Sequence, residues 1–179
     1  MANVLDRPRI RGASTDDDWN RREISTAGRI WKSEARSPTT MRRYQFSLLG
    51  AQLVVESEER LPEWFHATVA SLDALGQLAE NWDSYGARRV KHSSILATVE
   101  LLLTLMRDNL PAPTCVPTNR GNVMFEWHTR GIDLEVEVLG PGRLHVAFEN
   151  PREKTEWEAD LTSDLTKLVQ CVDELARAD

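Results

Sequence analysis

The chain has 179 residues, of which 41% are hydrophobic, and it carries a formal net charge of −6. This length and composition suit one domain with a single buried core. The most apolar segment, residues 95–106, is interrupted by Thr98, Glu100 and Thr104, so it predicts a core helix and not a membrane span. The first thirty residues lack the apolar stretch of a secretory signal. The sequence therefore predicts a cytoplasmic protein without membrane contact.

The charges are unevenly distributed along the chain. Residues 1–45 hold ten Arg and Lys against six Asp and Glu, whereas residues 46–179 hold twelve against twenty-two. An acidic body repels nucleic acid phosphates. We therefore predict a basic N-terminal arm (residues 1–43), partly flexible or docked on a partner, and an acidic α+β domain (residues 44–179). Nucleic acid, if bound at all, would contact the arm.

The arm has one weak helical stripe. Asp18 to Ala35 predicts a short helix that carries Trp19 and Trp31 on one side. The arm is too polar to bury two indole rings by itself. We expect both tryptophans to bind a partner protein or a second copy of the chain, which would give a homo-oligomer.

Four segments follow with recognisable periodicity. Tyr44 to Glu56 fits a strand interrupted at Gly50, and a helix fits it as well. Three further segments show helical spacing of apolar residues. They run from Pro62 to Asn81, from Ser93 to Asn109, which ends before a proline, and from Leu161 to Ala176.

Three strands are predicted between the second and third of these helices. They cover Asn122–His128, Ile132–Leu139 and Arg143–Glu149, and Gly-containing turns join them into a meander. The predicted fold is an α+β two-layer sandwich. An antiparallel meander of three to four strands would be covered on one face by about three helices.

The strand register follows if apolar residues share one face, because a slip of one residue would invert every side chain. Trp127 then opposes Leu134, and Phe125 opposes Val136. The other face is acidic and places Glu126 directly opposite Glu135. Its three rows are Met124, Glu137 and His145; Glu126, Glu135 and Ala147; and His128, Asp133 and Glu149.

Several interpretations of this face remain open. Opposed carboxylates repel each other unless something neutralises them. Glu126, Glu135 and Glu137 would then bind a partner with a basic surface. The face could also hold a divalent metal, or a nuclease centre, although the lysine usual in such a centre is replaced by Glu137. The last interpretation is a solvated acidic face that is partly capped by Arg120, Arg130 or Arg143.

The segment from Asn81 to Ala87, Asn-Trp-Asp-Ser-Tyr-Gly-Ala, has the composition of a tight loop. Asn81 is expected to end the preceding helix, Asp83 or Ser84 to accept backbone N–H bonds, and Gly86 to adopt a left-handed conformation. Trp82 and Tyr85 are expected to anchor the loop by burial. The loop is either a structural latch or a ligand or partner site.

The chain resembles an uncharacterised family of small bacterial proteins. The resemblance rests on this loop, on Pro117-Thr118-Asn119-Arg120-Gly121 and on the hairpin from Phe125 to Val138. That family shares an Asn-Trp-Asp-(Gly/Ser)-Tyr-Gly-Ala loop, a Pro-Thr-x-x-Gly step and a Glu-Trp … Leu-Glu-(Val/Ile)-Glu hairpin. The resemblance covers roughly residues 62–175. It implies no activity and no catalytic residues, and the family more often has glycine where Ser84 stands.

No catalytic or cofactor motif is evident. The spacing of Cys115 and Cys171 is not that of metal ligands, and it predicts two buried thiols. Neither His66 nor His92 lies in a motif that contains a nucleophile. The sequence also contains no phosphate-binding loop. We therefore expect no cofactor and a non-enzymatic protein-interaction module. By analogy of size, it would be an antitoxin- or immunity-like neutraliser, or an adaptor in a bacterial defence or mobile-element system. The alternative is a metal-dependent hydrolase or nuclease that uses the acidic face.

Overall fold

The computed structural model describes residues 9–12, 41–107 and 109–178. In this part of the chain three helices accompany two antiparallel sheets, which confirms the α+β class. No helix among these residues is long and apolar enough to cross a membrane. The helix predicted from Asp18 to Ala35, with Trp19 and Trp31, lies outside the described residues.

The smaller sheet contains β1 (Arg9–Gly12), β2 (Arg42–Leu48) and β3 (Ala51–Ser57), with β3 in the middle. Leu49 and Gly50 join β2 to β3 with φ angles of 55° and 74°. Positive φ at both positions gives the two-residue turn that matches the twist of a hairpin. The segment around Gly50 is therefore two strands, and the helical alternative for it is wrong.

The helices are α1 (Glu63–Gly76), α2 (His92–Leu105) and α3 (Thr166–Arg177). Pro62 directly precedes α1, where its missing N–H costs nothing. Both α1 and α2 end four to five residues earlier than their apolar stripes predicted. Leu78, just beyond the end of α1, is still partly buried against the core, so a loop residue continues the helical stripe by coincidence.

The larger sheet is a five-stranded meander whose spatial order equals its sequence order. Its strands are β4 (Thr114–Pro117), β5 (Val123–Thr129), β6 (Ile132–Gly140), β7 (Arg143–Asn150) and β8 (Thr155–Leu161). The three predicted strands are confirmed within one residue at each end. The predicted total of three to four strands is wrong, because β4 and β8 extend the sheet on both sides.

The last helix begins later than the sequence predicts. The predicted start, Leu161, is the last residue of β8 and pairs with Leu144, whereas α3 begins at Thr166. Trp157 and Ala159 precede it on the same face, opposite Phe148 and Val146. A leucine four residues before Leu165 fits a helical stripe as well as a strand end, so spacing alone could not place the boundary.

One hydrophobic core joins β2 to β8 with the three helices. Helix α2 packs on the inner face of β5 and β6, while α1 contacts β2, β4 and α2. Phe46 of β2 meets Phe65 of α1 edge to face, with ring centroids 5.5 Å apart. Helix α3 adds Leu168 and Leu175, both fully buried. The helices thus cover the inner face of the large sheet and leave its outer face to polar residues.

Cys115 and Cys171 are both free thiols. Burial raises the pKa of Cys115 to about 12 and that of Cys171 to about 11. Since the thiolate is the reactive form, neither side chain has the character of a catalytic nucleophile at neutral pH.

Candidate functional site

The predicted register of the central hairpins is confirmed. Trp127 pairs with Leu134 and Phe125 with Val136 on the inner face. On the outer face, Glu126 lies directly opposite Glu135. The three rows predicted across β5, β6 and β7 are all present, because a one-residue slip would have placed aromatic rings in water.

Strand β8 makes the outer face more acidic than the sequence had indicated. Glu156, Glu158 and Asp160 pair with Glu149, Ala147 and His145 and so point to the same side. Of the outward positions on β5 to β8, Arg143 at the start of β7 is the only Lys or Arg. We call this surface the acidic face. Its carboxylates are Glu126, Asp133, Glu135, Glu137, Glu149, Glu156, Glu158 and Asp160.

Two histidines provide the internal positive charge of the acidic face. His128 Nδ1 lies 2.7 Å from Asp133 Oδ1, and its Nε2 lies 3.6 Å from Glu126 Oε2 and 3.9 Å from Glu135 Oε1. The hydrogen bond to Asp133, together with the neighbouring carboxylate charges, raises the pKa of His128 above its ordinary value. When it is protonated, the ring of His128 places a positive charge near the opposed Glu126 and Glu135 and next to Asp133.

His145 forms a second, closed cluster. Its Nδ1 lies 2.8 Å from Asp160 Oδ1 and its Nε2 lies 2.9 Å from Glu158 Oε1. The hydrogen bond to Asp160 is the main cause that raises the pKa of His145, and the charge of Glu158 adds to it. Both nitrogens donate to carboxylates when the ring is protonated. These contacts of His145 with Glu158 and Asp160 could not be predicted, because β8 itself was not predicted.

Arg130, one of three arginines expected to cap the acidic face, does not do so. Its guanidinium donates to the carbonyl oxygens of Leu175, at 3.0 Å, and Asn109, at 3.3 Å. A cation near the last carbonyls of a helix also complements the helix dipole. Arg130 therefore caps α3 and contributes no charge to the sheet surface.

The two raised histidine pKa values predict a pH-dependent stability. A raised folded-state pKa means that the folded protein holds the proton more firmly than the unfolded chain does. This contribution is fully present below the ordinary histidine value of 6.5 and is lost as the pH rises through the folded values. Urea denaturation should show a stability that declines as the pH rises above about 6.5, the ordinary histidine value. His128→Gln and His145→Gln should each flatten that decline, and an equal decline in the double variant would contradict the assignment.

Three possible metal ligands converge within the acidic face. One atom each from Glu126, His128 and Glu135 lie within 4.8 Å of one another. Glu137 and His145, on the same face, make other contacts. The side chains of His128 and Glu135 are 48% and 44% exposed, so the described residues do not enclose this cluster in a cleft of the kind that holds a substrate. A shallow depression lies elsewhere, over the β2–β3 hairpin.

Glu137 belongs to a polar network at one end of the sheet. Its Oε1 accepts hydrogen bonds from Thr118 Oγ1 at 3.1 Å and from Asn122 Nδ2 at 2.8 Å. Lys91 Nζ donates to Asn122 Oδ1 at 2.8 Å. Glu137 therefore fixes the turn between β4 and β5, and its carboxylate is already hydrogen-bonded within the domain.

The segment from Asn81 to Ala87, which we call the Tyr85 loop, is closed by its own hydrogen bonds. Asp83 Oδ1 accepts from the N–H groups of Tyr85 at 2.8 Å and Ala87 at 3.0 Å. These two bonds lower the pKa of Asp83, because they stabilise its ionised form. Asn81 donates its N–H to Ala87 O at 2.7 Å and accepts at Oδ1 from Gly86 N–H at 2.6 Å. Asp83 thus has the predicted turn role.

Two other expectations for this loop are wrong. Asn81 does not end α1, which stops at Gly76; it adopts φ of 61° inside the loop. Tyr85 is not an anchor, because 94% of it is exposed. Trp82 is half-buried, and its indole N–H is enclosed without a hydrogen-bond acceptor among the described residues. The backbone hydrogen bonds, and not two buried rings, hold the loop.

The Tyr85 loop is also fixed to the turn between β4 and β5. Arg88 N–H donates to Asn119 O at 3.0 Å, and Lys91 N–H donates to Gly121 O at 2.9 Å. Behind this contact, the fully buried Ser94 donates to Val138 O and accepts from Val123 N–H. Ser94 carries no recognisable motif, and the one sequence signal for it is a polar residue on the apolar side of α2.

The conformation of Ser84 gives a direct test of the loop geometry. Its φ is 65°, a left-handed value that costs an L-residue about 1–2 kcal/mol and glycine almost nothing. Ser84→Gly should stabilise the fold by about 0.5–1 kcal/mol after the greater unfolded-chain entropy of glycine is subtracted. Chemical denaturation measures the change. A loss of stability would show that Ser84 is not left-handed in solution.

Comparison with protein-family models, with curated proteins and with solved structures finds no match for this chain.

Proposed function

We propose that this protein is a non-enzymatic interaction module that binds a basic protein surface through its acidic face. The observation that carries the proposal is the concentration of carboxylates from β5 to β8 on one outward face that includes a single arginine. Glu135 is 44% exposed, Glu158 68% and Asp160 76%, so their charges can reach a partner. Complementary charge mainly speeds encounter and selects the partner.

The chemistry of the described residues favours binding over catalysis. Both thiols have raised pKa values, and the histidines of the acidic face are engaged by carboxylates on their own sheet. Hydrolysis would also require a pocket that holds the substrate and one water molecule against the reacting groups. The acidic face is an open sheet surface, which suits protein docking better.

The predicted arm extends this proposal. Trp19 and Trp31 would add apolar contacts to the same partner or to a second copy of the chain, as buried aromatic anchors do in interfaces. Nucleic acid would contact the arm alone. The biological setting that we propose is an antitoxin- or immunity-like neutraliser, or an adaptor in a bacterial defence or mobile-element system. Size and the resemblance to small bacterial proteins support this setting.

The test replaces the opposed pair Glu126 and Glu135 with glutamine. Proteins captured from cells of the native host by the wild type would first be identified, and association of a purified basic candidate would then be timed at several salt concentrations. We expect the double variant to bind more slowly at low salt and the difference to vanish once screening is shorter than ~8–10 Å. At a pH high enough for His128 to be neutral, the free domain should gain a few tenths of a kcal/mol, because a like-charge pair is removed and no ion pair with His128 is lost.

The matched control is Glu59→Gln with Glu63→Gln, two exposed carboxylates outside the acidic face. It removes the same charge and should leave the association rate close to that of the wild type. Equal slowing by both double variants would indicate a net-charge effect. A partner without a basic surface, bound equally by all three proteins, would contradict the proposal.

The metal-dependent hydrolase is the second candidate, and the convergence of Glu126, His128 and Glu135 favours it. Calorimetric titration with magnesium, manganese and zinc separates the two. A micromolar or tighter heat signal that the Glu126→Gln, Glu135→Gln variant loses would place this candidate first. Bound metal should then also raise the melting temperature of the wild type by mass action.

A further inference from the structure

The Tyr85 loop presents an aromatic ring to solvent from a fixed backbone. Tyr85 is 94% exposed and is one of two large hydrophobic side chains exposed among the described residues. The loop beneath it is closed by the carboxylate of Asp83 and by Asn81. A rigid exposed tyrosine loses little conformational entropy when a partner covers it.

Exposed arginines lie next to the Tyr85 loop in the chain and across its contact with the β4–β5 turn, although the domain is acidic. Arg88 and Arg89 follow the loop, and Arg120 joins them because Arg88 N–H bonds to Asn119 O, the residue before it. Among the described residues, the three guanidinium groups have no hydrogen-bond or ion-pair partner, unlike those of Arg107 and Arg130. Five donors on each group are therefore open to an incoming acceptor.

The two carboxylates nearest in sequence are engaged by backbone. Glu80 Oε2 accepts from Arg89 N–H at 2.9 Å, and Asp83 holds the loop as described. The local surface thus combines an aromatic anchor with guanidinium groups, the residue types that dominate binding energy in protein interfaces. Its charge is opposite to that of the acidic face.

We propose that Tyr85, Arg88, Arg89 and Arg120 form a second docking surface, which binds an acidic segment of a partner protein. Tyr85 packs against an apolar side chain of that segment, and the guanidinium groups bind its carboxylates. A protein segment fits better than single-stranded nucleic acid, because nucleic acid binding uses several stacking rings along a continuous basic groove. Here one ring stands on an acidic domain. With the acidic face, this surface would let one domain bridge two partners.

The experiment selects peptides from a random displayed library on the immobilised intact protein. The selected peptides are then measured by fluorescence anisotropy against Tyr85→Ala and against Arg88→Glu with Arg120→Glu. We expect them to be rich in Asp and Glu and to lose about tenfold or more in affinity with either variant, or about 1.4 kcal/mol. Because Tyr85 is exposed, Tyr85→Ala should keep the melting temperature of the wild type.

Two control variants test whether a loss of affinity is specific to this second docking surface. Arg43→Glu with Arg60→Glu makes the same charge change at exposed positions elsewhere and should leave the affinity unchanged. The Glu126→Gln, Glu135→Gln variant should also bind the peptides normally, so a failure of the acidic face would not affect this result. Peptides without an acidic excess, or equal binding to Tyr85→Ala, would overturn the proposal. Tighter binding of an oligothymidine with the same variant dependence would overturn the assignment to a protein segment.

Discussion

Gly121→Ala is expected to lower the free energy of unfolding by about 2–5 kcal/mol, because strain and steric overlap act together. Gly121 has φ of +76°, and an added Cβ would overlap the carbonyl oxygen of Arg89. This oxygen belongs to rigid backbone between the Tyr85 loop and α2, so the overlap can be relieved only if the loop moves away from the turn. Chemical denaturation gives the change in stability.

The matched control is Gly142→Ala. Gly142 has a similar φ of +67°, but nothing lies within 4 Å of the position that its Cβ would take. It should show only the conformational cost of about 1–2 kcal/mol. The difference between the two variants measures the steric part. Equal losses would mean that the Tyr85 loop and the β4–β5 turn are not in contact in solution.

The strand register is the part of the structure that the sequence predicted best. Phe125, Trp127, Leu134 and Val136 alternate with charged residues, and only one register buries all four side chains. The same alternation also requires Glu126 to lie opposite Glu135 on the outer face, as it does. Here the local alternation and the global fold both require the apolar side chains to face the core, so the alternation was sufficient to predict the register.

The two outer strands of the large sheet were not predicted, because short strands are defined by their pairing with distant segments. β4 has only four residues, and the last residue of β8, Leu161, also fits the apolar spacing of the following helix. Neither strand is recognisable without its neighbour in the sheet. Their absence from the prediction also hid the contacts of His145 with Glu158 and Asp160, which lie on β8.

The Tyr85 loop shows a different limit of prediction from sequence composition. Its composition correctly indicated a tight turn with a side-chain acceptor, since Asp83 does bond to two backbone N–H groups. Composition could not tell which aromatic residue points inward, because that depends on the φ angles of Asn81 and Ser84. Tyr85 was therefore assigned to an anchoring role, although it is almost wholly exposed.

Leu72→Ala, Leu102→Ala and Leu168→Ala are each expected to cost about 2–5 kcal/mol, the range for a buried leucine that leaves a cavity. The three leucines lie on α1, α2 and α3 and are 0%, 1% and 0% exposed. All three belong to one core cluster, so each variant should unfold in a single transition that is shifted as a whole. Thermal melts and urea denaturation report both features.

Leu96→Ala is the matched control for these core variants, because Leu96 is on α2 but only half-buried. It should lose clearly less stability than Leu102→Ala, since part of the leucine surface is already in water and less of a cavity can form. The comparison therefore tests which side of α2 faces the sheet. Equal losses at both positions would contradict the packing of α2 on β5 and β6. A second, unshifted transition in Leu168→Ala would show that α3 folds apart from the core that it helps to close.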